Sequence, residues 1–401
     1  MKPFLSILIP SRNRAKYLKY AIQSALNLES SSIQIVVSEN YSSDNSWEVC
    51  GQFRDPRLTI IRPPKPLSMA DHFEFILRQA LGEWVTFIGD DDAVMPHCVE
   101  HLKYLTSRYP QAEAICAPRA YYFWDESRRR YGGTVVSFQF SQGERWLDSK
   151  SRLQDCLEAK FLYIHLPQMY SGGFHRRSLI NRVYRSQNGV YFKSVSPDAY
   201  TAIMACLHTY RYLEVGVPLT WVGTSPSGNG SANPPKDRKN DFSAMFDESP
   251  IVSHAALGRL NRDYITFPLV FLEAYLAAAP LTSLLALNSD LLKVLYSDAV
   301  RQFRASGDDE AIRMLSEDLG FSPASIEEKS VLMNFTAKTG EKVCGLLKRV
   351  ASRIGASQSD KKKNGEIMSF RSTSVTEFSN ILSCDSYLRS AYEDWGRRVL
   401  D

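Results

Sequence analysis

Four strand-like runs alternate with helix-like stretches over the first hundred residues, and this alternation restricts the fold more than any other feature. The runs occupy Phe4–Ile9, Ile33–Val37, Leu58–Ile61 and Trp84–Ile88. Between them, apolar residues recur at helical spacing, as they do from Ala15 to Leu26. Alternation at this spacing predicts an α/β fold, in which helices cover both faces of a mostly parallel sheet.

Polar segments follow three of these runs. They are Pro10–Arg14, Ser38–Asp44 and Gly89–Asp92. In a parallel sheet the carboxyl ends of the strands meet at one edge, and ligands bind in the crevice outside that edge. We therefore expect the three segments to converge on one binding site, with the first 112 residues forming a Rossmann-like nucleotide-binding half.

The segment FIGDDDAVMP places three aspartates, Asp90, Asp91 and Asp92, directly after an apolar run. Neighbouring carboxylates repel one another, and burial increases that cost. A divalent cation bound by one or two carboxylates and by substrate phosphates would relieve the repulsion. The alternative is a solvated acidic turn in which one aspartate caps the next helix.

The other two segments carry candidate nucleotide-binding groups. Glu39 stands at the end of the second run and is suited to accept the N–H of a nucleobase. In the first segment Pro10, Ser11, Arg12, Asn13 and Arg14 offer backbone groups and a cation. The alternative for the segment Ser38–Asp44 is a helix N-cap, and the alternative for the arginines of Pro10–Arg14 is that they are surface charges.

Composition narrows the class of protein. The 401 residues carry a net charge of +4, which does not indicate a nucleic-acid binder. The seven cysteines include no Cys-x-x-Cys pair, a pattern typical of reduced thiols in a cytosolic protein. The apolar start is too short for a signal peptide, and Tyr264–Leu287 is interrupted by two prolines and a glutamate. We expect a soluble, cytoplasmic protein, and peripheral contact with the inner face of the membrane stays open.

Three motifs together resemble the family 2 glycosyltransferases, an inverting group with the GT-A fold. They are FLSILIPSRNR at the start, VVSENYSSDNS after the second run, and GEWVTFIGDDDAVMP. The resemblance covers roughly the first 110 residues and extends loosely to Trp221. It implies a nucleotide-diphosphate sugar donor, with Pro10 to Arg14, Glu39 and Asp90 around the nucleotide, and Mn²⁺ or Mg²⁺ held by the aspartates.

Two positions depart from the family pattern. Glu39 stands where the family usually has aspartate, and Gly89 takes the place of the first aspartate of the acidic motif. With Pro96 fixing the register, Asp91 is the expected metal ligand and Asp92 the second. The resemblance also implies a catalytic base at the start of a late helix, where VSPDAYTAIMACL supplies Asp198.

The segment MYSGGFHRRSLI resembles the acceptor-side strand of the family and points to Gly172, Gly173 and His175 as acceptor-side residues. The division predicted is a catalytic domain at 1–222, with the acceptor half at 113–222. A flexible loop or linker follows at 223–250, and then a helical C-terminal region at 251–401. The alternative for Asp198 is a structural role, since aspartates are common at helix N-termini, where the helix dipole favours them.

The function that the resemblance implies is metal-dependent, inverting transfer of a sugar to an acceptor hydroxyl. The expected setting is bacterial-type surface polysaccharide or glycoconjugate synthesis, with a carbohydrate or lipid-linked sugar as acceptor. Two alternatives remain. One is a nucleotide-sugar-binding scaffold that has lost turnover, and the other is a sugar-nucleotide pyrophosphorylase, which LIPSRNRAK disfavours because it contains no glycine.

Overall fold

A computed structural model of the chain describes residues 2–128, 132–141, 143–157, 160–226, 267–278, 300, 303–304, 307–319, 367–373, 378–385 and 392. Two sheets organise these residues. The larger has eight strands in the order β3-β2-β1-β4-β10-β6-β11-β9, and the smaller has five in the order β13-β8-β7-β12-β5.

The strands of the larger sheet are β1 (Leu5–Ser11), β2 (Ile33–Glu39), β3 (Leu58–Ile61), β4 (Trp84–Phe87), β6 (Ala114–Cys116), β9 (Arg145–Asp148), β10 (Gly173–Arg176) and β11 (Arg211–Glu214). Strands β1 to β4 pair in parallel. Strand β10 then runs antiparallel between β4 and β6. The predicted parallel pairing of the first four strands is confirmed.

The strands of the smaller sheet are β5 (Ala93–Val94), β7 (Ala120–Phe123), β8 (Val136–Ser141), β12 (Thr220–Thr224) and β13 (Ile367–Ser372). Strand β5 follows the three aspartates directly and pairs antiparallel with β12. The turn that carries the aspartates therefore connects the two sheets.

The described helices are α1 (Ala15–Leu26), α2 (Ser46–Cys50), α3 (Met69–Leu77), α4 (Cys98–Arg108), α5 (Asp125–Arg128), α6 (Ser149–Leu157), α7 (Arg177–Ser186) and α8 (Pro197–His208), followed by Phe267–Ala277 and Asp309–Leu319. Short 3-10 turns lie at Tyr163–His165 and Ile381–Cys384. Alternate residues of β1 enter different cores: Leu8 packs with α3 and α8, whereas Ile7 and Ile9 pack with α1 and α4. Helices on both faces, as predicted, bury these side chains at about 1.5–3 kcal/mol each.

Pro10 does not end β1, contrary to the strand prediction, and the reason is its position in the ladder. The carbonyl of Leu8 accepts from Ile88 N, so Leu8 and Pro10 face β4, whereas Ser11 faces β2 and accepts from Asn40 N. Pairing with β4 stops at Leu8. The missing N–H of Pro10 therefore lies beyond the last pair on that side, where no partner requires it.

The described C-terminal residues pack against the first 226. Two of their segments are helical, but β13 is a strand that pairs antiparallel with β8. Tyr392 stacks on His97 with ring centroids 4.2 Å apart and bonds to His101. The spacing of apolar residues near Leu388–Leu400 predicts a last amphipathic helix, which apart from Tyr392 lies outside the described residues. Residues 227–250 of the predicted loop also lie outside them, and the first residues of that loop belong to β12.

Candidate functional site

Asp92 holds the turn between the two sheets in place. Its Oδ2 accepts from Gly89 N at 2.8 Å and from the Ser171 hydroxyl at 2.5 Å, and its Oδ1 accepts from Gly223 N at 2.8 Å. The residue is 2% exposed. Asp92 thus joins the end of β4, the segment before β10 and strand β12 through one buried carboxylate.

Asp91 and Asp90 are less fully bonded by the protein. The Ser225 hydroxyl donates to Asp91 Oδ2 at 2.5 Å. Burial, with repulsion from Asp92 and Asp90, raises the pKa of Asp91 to about 8. Asp90 accepts from Arg12 N at 3.4 Å and lies 3.7 Å from Arg14 Nε, and burial raises its pKa to about 6. Asp91 is buried and Asp90 is partly buried, and a cation would stabilise both carboxylates in their ionised form.

The donor set suits a hard divalent cation, because it consists of carboxylate oxygens. Within the described part of the chain, no group of three or more His, Cys, Asp or Glu side chains is arranged to hold a metal ion. A site made of Asp91 and substrate phosphate oxygens requires only one or two protein carboxylates. Asp92 as second ligand remains a prediction, and its three protein hydrogen bonds favour a role in holding the turn.

The loop after β1 is bonded to the loop after β2. Asn13 N donates to the Ser42 hydroxyl at 2.8 Å, and Asn13 Oδ1 accepts from Ser43 N at 2.8 Å. Asn13 and Tyr41 adopt φ of 57° and 52°, a left-handed conformation that asparagine tolerates and that is costly for tyrosine. With Asp90 bonded to Arg12, the three predicted segments form one continuous rim.

Glu39 lies at this rim, but its carboxylate is already engaged. Its Oε1 accepts from Ser42 N at 2.5 Å and its Oε2 from Arg62 Nε at 2.7 Å. Burial acts to raise its pKa, yet the bonds from Ser42 and Arg62 outweigh it and hold the pKa below the ordinary value. Arg62 in turn stacks over Trp47 at 4.2 Å and Tyr41 at 5.0 Å. A nucleobase here would meet the Arg62 guanidinium and these rings as well as Glu39.

Asp198 lies in the first turn of α8, as predicted, and its carboxylate is only partly buried. The hydroxyls of Ser196 and Tyr163 donate to it at 2.6 and 3.1 Å. The segment Met169–Ser171 lies between α8 and the aspartate turn: Met169 N donates to the Thr201 hydroxyl of α8 at 3.0 Å, and the Ser171 hydroxyl donates to Asp92 at 2.5 Å. Burial raises the pKa of Tyr170 in this segment, and the negative charges of Asp92, Asp91 and Asp198 add to the rise.

The three predicted acceptor-side residues occupy close-packed positions. A Cβ on Gly173 would lie 1.6 Å from the carbonyl oxygen of Gln168, and Gly172 has a φ of +102° that favours glycine. His175 is fully buried, and its Nε2 lies 2.8 Å from the Pro167 carbonyl. This packing favours a structural role, and contact of these residues with an acceptor remains a prediction.

Four residues of this region were not predicted from the sequence. They are Arg62, Tyr170, Ser171 and Ser225. Arg62 directly follows β3, so the position of a cation at a strand end was a usable signal. The other three reach the aspartates across 79 or more residues of chain, or lie beside them through tertiary packing. No local pattern marks such residues.

Residues 6–171 match the sequence model of the family described as Glycosyl transferase family 2. This part of the chain is a family 2 glycosyltransferase domain. The resemblance predicted from the three motifs is confirmed, and the matched residues contain the rim loops, the aspartate turn and Tyr170.

Curated relatives of the glycosyltransferase domain are bacterial. Glycosyltransferase GlyG of Streptococcus pneumoniae is 28% identical over 129 residues, which are 32% of this chain and 42% of GlyG. The GalNAc(5)-diNAcBac-PP-undecaprenol beta-1,3-glucosyltransferase of Campylobacter jejuni is 32% identical over 96 residues, which are 23% of this chain and 31% of that enzyme. The chain thus spans less than half the length of these relatives.

Solved structures with similarity to the chain include S. aureus TarS 1-349 in complex with UDP-GlcNAc. It superposes with a TM-score of 0.46 and 14% identity, covering 80% of this chain and 93% of that one. The mannosyltransferase PcManGT from Pyrobaculum calidifontis, in complex with GDP-Man and Mn²⁺, gives a TM-score of 0.40 and 15% identity over 88% and 89% of the two chains.

None of the helices among the described residues is long and apolar enough to cross a bilayer. The six cysteines among these residues are buried and unbonded to one another.

Proposed function

We propose that this chain is an inverting, metal-dependent glycosyltransferase that moves a sugar from a nucleotide-diphosphate donor to an acceptor hydroxyl. The single observation that carries the proposal is that the segment Met169–Ser171 is bonded both to α8, through Met169 N and the Thr201 hydroxyl at 3.0 Å, and to Asp92, through the Ser171 hydroxyl at 2.5 Å. A donor diphosphate at the aspartates would present its sugar toward a carboxylate able to take a proton. The family match over residues 6–171 supports the reaction class.

The nucleoside would lie along the rim formed by the loops after β1 and β2. Asn13, Ser42 and Ser43 hold these loops together, and the Arg62 guanidinium with Trp47 offers a flat cationic surface to a base. Asp91, with Asp90 beside it, would hold Mn²⁺ or Mg²⁺. That ion would supply charge neutralisation for the departing diphosphate.

Asp198 would act as the general base. The acceptor oxygen bonds to the anomeric carbon on the face opposite the diphosphate, and its proton passes to the Asp198 carboxylate. The bond from carbon to phosphate oxygen breaks, and its electron pair stays on the diphosphate. Ser196 and Tyr163 fix the carboxylate by hydrogen bonds, so its orientation is set before the acceptor arrives.

Within this proposal, residues 1–222 are the catalytic domain, with 223–250 as a connecting loop and 251–401 as a largely helical region. We further propose a cytoplasmic location, with a carbohydrate or lipid-linked sugar as acceptor in surface polysaccharide or glycoconjugate synthesis. The C. jejuni relative, named for an undecaprenol-linked acceptor, supports this choice.

Thermal-shift measurements with UDP-, GDP- and dTDP-sugars, with and without Mn²⁺, test the donor part of the proposal. A ligand that binds the folded state adds about 2.7 kcal/mol of stability when its concentration is one hundred times Kd, and the melting temperature rises accordingly. We expect one nucleotide class to stabilise the protein, and only with Mn²⁺. No response to any donor under either condition would refute the proposal.

A nucleotide-sugar-binding scaffold is the second candidate, and two observations favour it. The carboxylate of Glu39 is bonded to Arg62, and Gly89 leaves the acidic motif without its first carboxylate. Product formation separates the two candidates. Release of nucleoside diphosphate in the presence of Mn²⁺ supports the enzyme, whereas tight donor binding without release supports the scaffold.

A further inference from the structure

The Tyr170 hydroxyl leaves no room for a side chain at Gly89. A Cβ on Gly89 would lie 2.6 Å from the Tyr170 hydroxyl, 3.0 Å from Asp91 Oδ1 and 3.1 Å from Asp92 Oδ2. Contacts under 3.0 Å are too short for a carbon. The tyrosine hydroxyl thus occupies the space that a side chain at position 89 would need, directly beside the carboxylates.

The backbone holds Tyr170 firmly in this place. Phe87 and Tyr170 form a parallel bridge, with hydrogen bonds of 3.0 Å from Phe87 N to Met169 O and from Ser171 N to Phe87 O. The ring packs near Phe73 at 6.5 Å. Its position is therefore set by the end of β4, the same strand end that positions the aspartates.

The hydroxyl itself is available to a ligand. Among the described residues the structure shows no hydrogen-bond partner for it, and the residue is only partly buried. With Ser171 and Arg119, Tyr170 lines a small cavity next to the aspartate turn. A phenol O–H is a donor, whereas the Asp91 and Asp92 carboxylates beside it are acceptors when ionised.

We propose that the Tyr170 hydroxyl is a substrate-contacting group that donates a hydrogen bond to the β-phosphate of the donor. The inference rests on the proposed function, because it requires a diphosphate at Asp91. A carboxylate at position 89 would repel that anion. With Gly89 and Tyr170, a neutral hydrogen-bond donor takes the place of that negative charge, and this donor attracts the diphosphate.

The bond would strengthen during transfer. As the bond from the anomeric carbon to the phosphate oxygen breaks, its electron pair stays on the β-phosphate, and the Tyr170 hydroxyl donates to that growing charge. The acceptor proton goes to Asp198, so Tyr170 neither gains nor loses one. Removal of the hydroxyl should therefore lower kcat as well as donor affinity.

The Tyr170→Phe variant removes only the hydroxyl. Titration calorimetry in Mn²⁺ measures the Kd of each protein for UDP and UMP, and for GDP and GMP, and so tests the contact with the β-phosphate. A hydrogen bond to a charged group corresponds to about a tenfold or greater change in Kd. We expect that loss for the diphosphate that the wild type binds, and less than a twofold change for its monophosphate. Tyr104→Phe, on the exposed side of α4, is the matched control.

The outcomes separate the inference from the proposed function. If the wild type binds neither diphosphate, the proposed function is wrong and the inference is wrong with it. If the wild type binds one and Tyr170→Phe binds it equally well, only the inference is wrong. Equal losses for diphosphate and monophosphate would indicate a structural role and would also overturn the inference.

Discussion

Asp92 is expected to stabilise the fold rather than to bind metal, and its substitution tests that distinction. Asp92→Ala removes the acceptor of three hydrogen bonds, two of them from the buried backbone N–H groups of Gly89 and Gly223. Bonds to a charged group contribute about 1.5–3 kcal/mol each, and relief of repulsion within the aspartate cluster offsets part of the loss. We expect the free energy of unfolding to fall by about 3–5 kcal/mol.

Urea unfolding followed by tryptophan fluorescence measures this loss, with Glu100→Gln on the exposed face of α4 as a control that should change stability by about 0.5 kcal/mol or less. Asp92→Asn keeps one acceptor oxygen and should cost less than the alanine variant. It should also keep the rise in melting temperature on adding Mn²⁺ with donor. An Asp92→Asn protein of wild-type stability that loses the Mn²⁺ response would refute the reasoning.

Three further predictions concern charge. Because the pKa of Asp91 is raised to about 8, the stability of the metal-free protein should fall as pH rises from about 4 to 8. The stabilisation by Mn²⁺ in thermal-shift scans should therefore grow from pH 6 to 8, and a Mn²⁺ stabilisation equal at all pH values contradicts this. Arg62→Ala should lower the free energy of unfolding, measured in urea, by about 1–3 kcal/mol at pH 7. This loss should shrink below about pH 4.5, where Glu39 is protonated in the unfolded state. A loss independent of pH would disprove the role of the Arg62–Glu39 ion pair. Asp198→Asn should bind donor within twofold of wild type and lose about 10²–10⁴ in turnover, and near-normal nucleotide release would remove Asp198 from the role of base.

Local periodicity was enough to predict the first half of the larger sheet. The β-branched and apolar runs became β1 to β4, and α1 begins and ends where helical spacing predicted, at Ala15 and Leu26. The Ser-x-x-Asp pattern at Ser68 predicts a helix cap, which is present, since the Ser68 side chain accepts from Asp71 N. These features depend on neighbours a few residues apart, which a single sequence displays.

Pairing between distant segments could not be predicted in this way. Strand β5 has only two residues and exists because β12 pairs with it across 126 residues. Strand β13 joins β8 across more than 200 residues, inside a region predicted to be helical. Such short strands gain their stability from the partner, so their own sequences carry little signal.

The candidate site shows the same division. Strand ends were enough to bring the aspartates, Glu39 and the first loop to one rim. The bonding that decides what each carboxylate can do comes from Ser171, Ser225 and Arg62, which were not predicted. The sequence therefore indicated where the acidic groups lie, and tertiary contacts determine which of them is available to a ligand.

Calorimetric titration of Asp91→Asn beside the wild type, with the donor sugar nucleotide selected by thermal shift, tests the central claim most directly. In Mn²⁺ the wild type should bind the donor at least about tenfold more tightly than the variant does, and in EDTA the two should bind equally weakly. Equal affinity of the two proteins in Mn²⁺ would contradict the account, because the aspartate turn would then have no part in holding the diphosphate.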